Sequence, residues 1–489
     1  MIFTSFTFIV FFLIFFLLYW LVFSYNVTIQ NWAILIANYI FYGWSNYKFL
    51  LLLIGCSLFN YFLGIELEKA KSDIKRKILV ALGIIQGVGG LAYFKYFNFF
   101  ILSFKQLFES FGFNTNLQTL NIIVPLGISF FTFRTLSYIL DIDKNKIKAT
   151  KDLVTFLNYV SFFPSILSGP IDKAKSFIPQ LEQPRKFKYE KMIDALRQIL
   201  WGLFKKLVIA DYCTLITDEI FNNYETLPHS TLFLGAFLYT IQVYADFSGY
   251  SDIAIGIARL LGFEISKNFD FPFFAQNIAD FWRRWHISLT SWLTEYVFTP
   301  LSIAFRNYGN NGLIFAILIN LTLVGIWHGA RWNYVLYGFI HGCYFIPLIL
   351  MGTMNKKSKL QKNKMLPSYK ELIRMITTFT IVMLTFIVFR ADTIKDAFLF
   401  LSRMFQNLTL KNNYVETINF IYWKIGLLLP FFIILLFIAE WSARFKNFGL
   451  ACIEGVSITG VRWTVYALIV FSIGLFLRTN QTPFIYIRF

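Results

Sequence analysis

The sequence predicts an all-α, polytopic integral membrane protein, and three observations carry that prediction. Of 489 residues, 57% are hydrophobic and only 15% are charged. The mean hydropathy is +0.58. Apolar runs recur along the whole length, so no soluble domain stands apart from them. A spanning helix needs about 20 consecutive apolar residues. Residues 2–23 form such a run with no charge in it. Further runs follow at 31–44, 49–65, 78–94, 232–244, 312–327, 332–351, 375–389, 425–439 and 465–477. With ambiguous pieces counted, the length rule gives roughly ten to thirteen membrane segments, re-entrant and half-membrane ones included.

The net charge of +18 would suggest nucleic acid as the partner of a soluble protein. Here basic loops held against anionic lipid explain it better. No nucleic-acid motif is present, so membrane lipid is the expected partner and nucleic acid is not. Residues 1–47 contain no Lys or Arg and therefore lack the basic start of a signal peptide. The same absence suits an N-terminus on the outer side of the membrane. Three spans then deliver Lys69, Lys71, Lys75, Arg76 and Lys77 to the cytoplasm. Residues 143–151 and 173–191 are basic as well. So are residues 356–374, with Lys356, Lys357, Lys359, Lys362, Lys364 and Lys370. Cys56, Cys213, Cys343 and Cys452 are scattered and support neither a disulfide framework nor a zinc site.

The chain reads as three zones. Residues 1–120 are plain spans and short loops. Residues 121–342 interleave polar, Pro and Gly residues with apolar runs, as a catalytic core with broken helices would. Residues 343–489 return to spans. No repeat is visible, so an inverted-repeat transporter is not suggested. Broken helices at membrane depth survive only inside protein or beside water. Pro125 and Gly127 interrupt residues 121–140, and Pro164 and Pro170 interrupt 162–171. These read as re-entrant segments beside a buried cavity, or else as interfacial loops.

Histidines and charges at membrane depth each ask for a reason. His328 closes a long apolar run that contains Asn320 and Trp327. A neutral imidazole in an apolar cavity keeps a lone pair free and makes a good general base. Taken alone, a single buried histidine is more often a packed one. His286 lies in residues 279–296, where Phe281, Trp285, Leu289, Trp292 and Tyr296 make one apolar stripe. That spacing predicts a continuous helix lying in the interface. Arg283 and Arg284 on it suit lipid phosphate or the phosphates of a nucleotide donor. His341 reads as an interhelical hydrogen-bonding residue, and His229 as incidental. Gln242 and Asp246, four apart, share a helix face. Asp246 and Asp252 each need a cation or several donors. Gly249 and Gly256 allow close helix approach. Phosphate-loop, dinucleotide, nucleophile-elbow and HExxH motifs are missing, which argues against an ATP-driven pump.

In order along the chain, residues 125–133 (PLGISFFTF), 162–171 (FFPSILSGPI), 244–256 (YADFSGYSDIAIG), 280–289 (DFWRRWHISL), 327–330 (WHGA), 389–392 (FRAD) and 483–489 (PFIYIRF) form a set. This set resembles the membrane-bound O-acyltransferase (MBOAT) family. Within it, the set resembles most the bacterial branch of the alginate O-acetylation protein and the peptidoglycan O-acetyltransferase. Arg134, Arg331 and Arg488 depart from the branch's pattern. The resemblance implies a helical fold around a central cavity or tunnel, with His328 as the catalytic base and His286 as its orienting or electrostatic partner. Asp246, Gln242, Tyr244, Trp327, Asn320, Arg283 and Arg284 are candidates for lining the tunnel or holding the donor. The implied donor is acetyl-CoA, with no permanently bound cofactor. The implied acceptor is a polysaccharide, reached through a periplasmic SGNH-type partner. The implied membrane is a bacterial inner membrane, which makes the outer side, and with it the N-terminus, periplasmic. Three other readings remain in contention: D-alanyl transfer to teichoic acid from a carrier protein, non-enzymatic transport or flipping of a lipid-linked sugar, and acylation of lipid from a long-chain donor.

Overall fold

The structure is a computed structural model that describes residues 1–356, 365–477 and 483–485. Lys357, Lys359, Lys362, Lys364 and Arg488 lie outside the described residues. Among those described, every regular element is helical. Six helical stretches are long and apolar enough to cross a membrane: Tyr47–Lys69, Asp73–Ser110, Arg306–His328, Trp332–Leu350, Tyr369–Arg390 and Thr459–Phe476. A seventh span results if Lys411–Ile425 and Leu428–Ser442, which meet at 87°, are counted as one broken span. Phe6–Val22 and Leu153–Ile166 are apolar but shorter. The expected ten to thirteen segments counted such short and bent pieces together with full spans.

Two compact units emerge. The first comprises residues 1–193 and 257–266, and the second residues 194–256 and 267–489. This division follows contacts, whereas the three zones of the sequence follow polarity, so the two describe different properties.

In the first unit the chain runs through α1 (Phe6–Leu17), α2 (Val27–Gly43), α3 (Tyr47–Lys69), α4 (Asp73–Leu91), α5 (Phe97–Ser110), α6 (Ile128–Asp143), α7 (Leu153–Ser161), α8 (Phe163–Ile166) and α9 (Ala174–Glu182). Asn26, Asn46 and Asp152 start α2, α3 and α7 by accepting bonds from first-turn amides. Gly127 starts α6 at φ +72°, and a Cβ there would clash with the Ile166 carbonyl. Residues 162–171 are buried throughout, so this broken segment is interior and not an interfacial loop. Arg134 serves carbonyls at the end of α7 and within this segment. The Arg134 guanidinium donates to the carbonyls of Tyr159 (3.1 Å), Val160 (3.2 Å) and Pro170 (3.5 Å), and to the Ser165 hydroxyl. A glutamine offers two N–H donors where arginine offers five. Arg134→Leu is therefore expected to cost about 3 kcal/mol of stability, because buried acceptors lose their donors. Arg134→Gln is expected to cost less. Thermal unfolding in detergent would measure both, and an unchanged midpoint for the leucine variant would refute the assignment.

The second unit contains α10 (Tyr189–Leu203) from Asp194 onward, α11 (Asp211–Asn222) and α12 (His229–Leu260) as far as Gly256. It continues with α13 (Ile278–Arg284), α14 (Ile287–Leu293), α15 (Thr299–Ala304), α16 (Gly309–His328), α17 (Trp332–Cys343) and α18 (Ile346–Leu350). The last helices are α19 (Tyr369–Arg390), α20 (Ile394–Met404), α21 (Lys411–Phe420), α22 (Leu428–Ser442) and α23 (Thr459–Phe476). Helices α16 and α17 pack closely together. A Cβ at Gly325 would clash with the Tyr334 carbonyl, and one at Gly338 with the Leu321 carbonyl. As the sequence suggested, Gly249 and Gly256 also sit at close approaches, against Gly202 and Ala195.

Candidate active site

His328 is the last residue of α16 and stands at the turn of the α16–α17 hairpin. The backbone contacts of Gly325 and Gly338 leave that turn little freedom. The imidazole is 2% exposed. Its ring meets Phe389 at 5.0 Å, Trp327 at 5.0 Å and Tyr337 at 6.0 Å between centroids. The Trp327 indole also meets the His286 ring, at 5.3 Å. One tryptophan thus touches both histidines that the sequence singled out.

His286 is 1% exposed and takes φ 46°, a left-handed conformation uncommon for a residue with a Cβ. The helix expected through residues 279–296 therefore breaks at Trp285 and His286, into α13 and α14. Its stripe is buried in the protein and does not lie in an interface: Phe281, Trp285 and Leu289 are each at most 1% exposed. Asn268 holds the break. Its carbonyl accepts from the Ile287 amide (2.9 Å), and its side-chain oxygen accepts from the Ser288 hydroxyl (2.6 Å). Its amide donates to Ser251 on α12 (3.2 Å). Left-handed strain at a buried histidine persists only where surrounding bonds over-determine it. Here they aim the ring at Trp327 and at Phe247, 4.7 Å away.

The acidic residues of α12 find the cations they require, and both cations are buried lysines that the sequence reading passed over. Lys206 pairs with Asp246 and with Asp211, each at 2.7 Å. Lys205 pairs with Asp252 at 2.6 Å and donates to Ser248 at 2.8 Å. The second Asp246 oxygen accepts from the Ile485 amide at 2.7 Å, which ties the C-terminal segment to α12. Both Asp246 oxygens are thus engaged, so the residue acts as an anchor. Tyr244 donates to Glu440 on α22 at 2.8 Å and packs at a tilt against Phe273, centroids 4.7 Å apart. Phe273 also walls an apolar cavity of about 940 Å³ bounded by Phe379, Phe437 and Trp441. Two lysines in one apolar run were the signal that could have revealed this network.

Other candidates lie elsewhere. Gln242 shares a face with Asp246, but it exchanges hydrogen bonds with Thr214 (2.9 Å) and Thr217 (2.6 Å) on α11. Asn320 is buried on α16, and its side-chain oxygen has no hydrogen-bond partner among the described residues. Arg284 pairs with Asp280 (3.1 Å) and reaches the Asp270 carbonyl (3.3 Å). Arg283 donates to the carbonyls of Met354 and Lys356. Both arginines therefore hold backbone and carboxylate groups of the protein itself. His341 accepts from the Trp282 indole at 3.3 Å, a bond between α17 and α13. His229 is buried and bonded to Asn413 at 2.9 Å. The FRAD residues each have a task. Phe389 packs on His328, Arg390 pairs with Asp218 (2.8 Å), the Ala391 carbonyl accepts from Asn333 (2.8 Å), and Asp392 meets the exposed Arg331 (3.5 Å). Among the described residues no three His, Cys, Asp or Glu side chains converge as metal ligands would.

The family model of membrane-bound O-acyltransferases, MBOAT, matches residues 143–389, which contain both site histidines and both buried lysines. The chain is 33% identical over 417 residues to the probable alginate O-acetylase AlgI of Pseudomonas aeruginosa, covering 83% of this chain and 76% of that protein. It is 32% identical over 396 residues to the peptidoglycan O-acetyltransferase of Helicobacter pylori, covering 75% of this chain and 72% of that one. It is 32% identical over 284 residues to the teichoic acid D-alanyltransferase of Streptococcus thermophilus, covering 54% and 68%. The chain belongs to the membrane-bound O-acyltransferase family and is a multi-pass membrane acyltransferase. Glu440 and Ile485, which complete the network around α12, lie beyond the matched residues.

The arrangement around Trp327 leads to a prediction. His286→Ala removes a ring that packs on Trp327 but leaves the α16–α17 turn intact. It is expected to lower turnover strongly, by about tenfold to a hundredfold, with a smaller loss of stability. The tenfold end corresponds to about 1.4 kcal/mol of barrier. Steady-state kinetics beside thermal unfolding would check it, and unaltered turnover would take His286 out of the site's machinery.

Proposed function

We propose that this acyltransferase moves an acetyl group from cytoplasmic acetyl-CoA across a bacterial inner membrane, its N-terminus periplasmic. The acceptor is a periplasmic hydroxyl or an SGNH-type partner, and the final product is an O-acetylated cell-wall or exported polysaccharide. The observation that carries this reading is His328: a buried imidazole at a glycine-locked hairpin turn, with a second histidine across the same indole. His328 takes the proton of the acceptor hydroxyl. The oxygen attacks the thioester carbonyl, the new C–O bond forms as the C–S bond breaks, and the CoA thiolate leaves. The imidazolium then returns the proton to the thiolate, so atoms and charge balance without ATP. Burial helps by keeping water from competing with the acceptor and by strengthening local electrostatics.

Supporting acetyl over D-alanyl transfer is the extent of similarity. The alginate and peptidoglycan relatives cover 83% and 75% of the chain, and the D-alanyl relative 54%. The test uses purified protein in detergent with radiolabelled acetyl-CoA. Thiol release and labelled product are followed with and without a polysaccharide hydroxyl acceptor. Acceptor-dependent CoA release is the expected result. No release from acetyl-CoA, with transfer from a D-alanyl-loaded carrier protein, would overturn the acetyl reading in favour of D-alanylation.

A further inference from the structure

A second site lies in the first unit. A cavity of about 280 Å³ opens between the end of α9, the start of α10 and the turn at residues 259–264. Its lining holds five cations, Arg185, Lys186, Lys188, Lys191 and Arg259, against one carboxylate, Glu264. That carboxylate is already engaged, by Lys191 at 2.9 Å and Arg259 at 3.0 Å.

Arg185 makes this more than a basic surface. Its side chain is nearly buried, at 8% exposure. It donates to Gln30 (3.1 Å), to Asn31 (2.8 Å) and to the carbonyls of Leu181 and Val27 (each 3.4 Å). All four partners are neutral oxygens. The cation also lies 5.2 Å from the Phe263 ring centroid. Orientation is thus fixed while the charge is not cancelled, and a buried cation without a counter-ion is costly. An arriving anion would supply one. A phosphate suits it, because Arg and Lys donors around a concavity match its several acceptor oxygens.

The source of the phosphate follows from what alternates with the lysines. Phe187 and Tyr189 lie between Lys186, Lys188 and Lys191, and both are exposed, at 52% and 72%. Trp20 stands edge-on to Phe187 at 5.4 Å and donates its indole N–H to the Leu260 carbonyl at 2.9 Å. Aromatic rings interleaved with basic residues are what the headgroup level of a bilayer selects. A soluble phosphate compound gives no reason for exposed rings there. We infer that this cavity binds the phosphate of an acidic phospholipid headgroup, with Arg185 at its floor and Lys186 and Lys188 at its rim.

The test is native mass spectrometry of the full-length protein in detergent, titrated with phosphatidylglycerol, phosphatidylcholine, inorganic phosphate or free coenzyme A. Phosphatidylglycerol is expected to bind the wild type, and phosphatidylcholine to bind far more weakly. Each lysine near an anionic surface contributes about fivefold in affinity. Lys186→Gln with Lys188→Gln should therefore weaken phosphatidylglycerol binding by about twenty-fivefold. Both residues form no ion pair among the described residues, so the fold should survive, and thermal unfolding verifies it. Lys186→Glu with Lys188→Glu should weaken binding further. Undiminished lipid binding by these variants, or equal binding of phosphatidylcholine, would overturn the proposal. Displacement of the lipid by inorganic phosphate or coenzyme A at similar concentration would overturn the lipid assignment in favour of a soluble phosphate ligand.

Discussion

Replacement of His328 by alanine is expected to lower acyl transfer by about 10²- to 10⁴-fold, the range a positioned acid–base group contributes. The prediction rests on where the ring sits. It is almost wholly buried at the end of α16, walled by Phe389, Trp327 and Tyr337. A packing role alone predicts a different pattern. Truncating a buried ring costs stability, about 3 kcal/mol for a large side chain. A chain that stays folded would then keep most of its turnover per molecule. His328→Asn and His328→Gln separate the two roles, since they retain bulk and polarity without a comparable base. Turnover normalised to folded protein should be lost in all three variants, while the unfolding midpoint falls most for alanine. Near wild-type turnover in His328→Gln would remove the imidazole from the chemistry.

The neighbourhood of the candidate site was legible in the sequence where residue type alone carried the meaning. Only four histidines occur in the chain, and the two placed in the site do share a tryptophan. Asp246 and Asp252 were read as needing cations, and each has one. What escaped was set by partners distant in sequence. The apolar stripe from Phe281 to Tyr296 keeps helical spacing straight through His286, so periodicity predicts no break. The break is held by the segment at 268–270: Asn268 bonds Ile287 and Ser288 after the turn, and the Asp270 amide donates to the Arg284 carbonyl before it. Spacing puts Gln242 on one face with Asp246, but it does not show that its hydrogen-bond partners lie on α11. Lys205 and Lys206 were hidden inside an apolar run, and Glu440 faces Tyr244 across 196 positions. The length rule counts full spans together with short and broken pieces, since it cannot tell a span from two helices that meet at 87°.

The second large effect is expected at Lys206, and it concerns stability first. Its ammonium is 1% exposed and bridges Asp246 and Asp211, each 2.7 Å away. The Phe484 ring lies 4.5 Å from it. Two opposing terms decide what Lys206→Met does. The methionine fills much of the same volume and spares the cost of burying an ammonium, which favours the variant. Against this, two buried carboxylates lose their cation while standing close to one another. Breaking a buried pair by removing one partner costs about 3 to 5 kcal/mol, whereas replacing all the charges together is often near neutral. The unpaired carboxylates should therefore win. Lys206→Met is expected to lower the unfolding midpoint strongly, and adding Asp246→Asn with Asp211→Asn should restore much of it. Turnover should follow a different course. Asp246 also accepts the Ile485 amide, so the triple variant weakens the hold on the C-terminal segment even where stability returns. Recovered stability with turnover still depressed would mark this network as a positioning device for the site. A single Lys206→Met variant as stable as wild type would show that the two carboxylates find other donors, and that the buried lysine is dispensable to the fold.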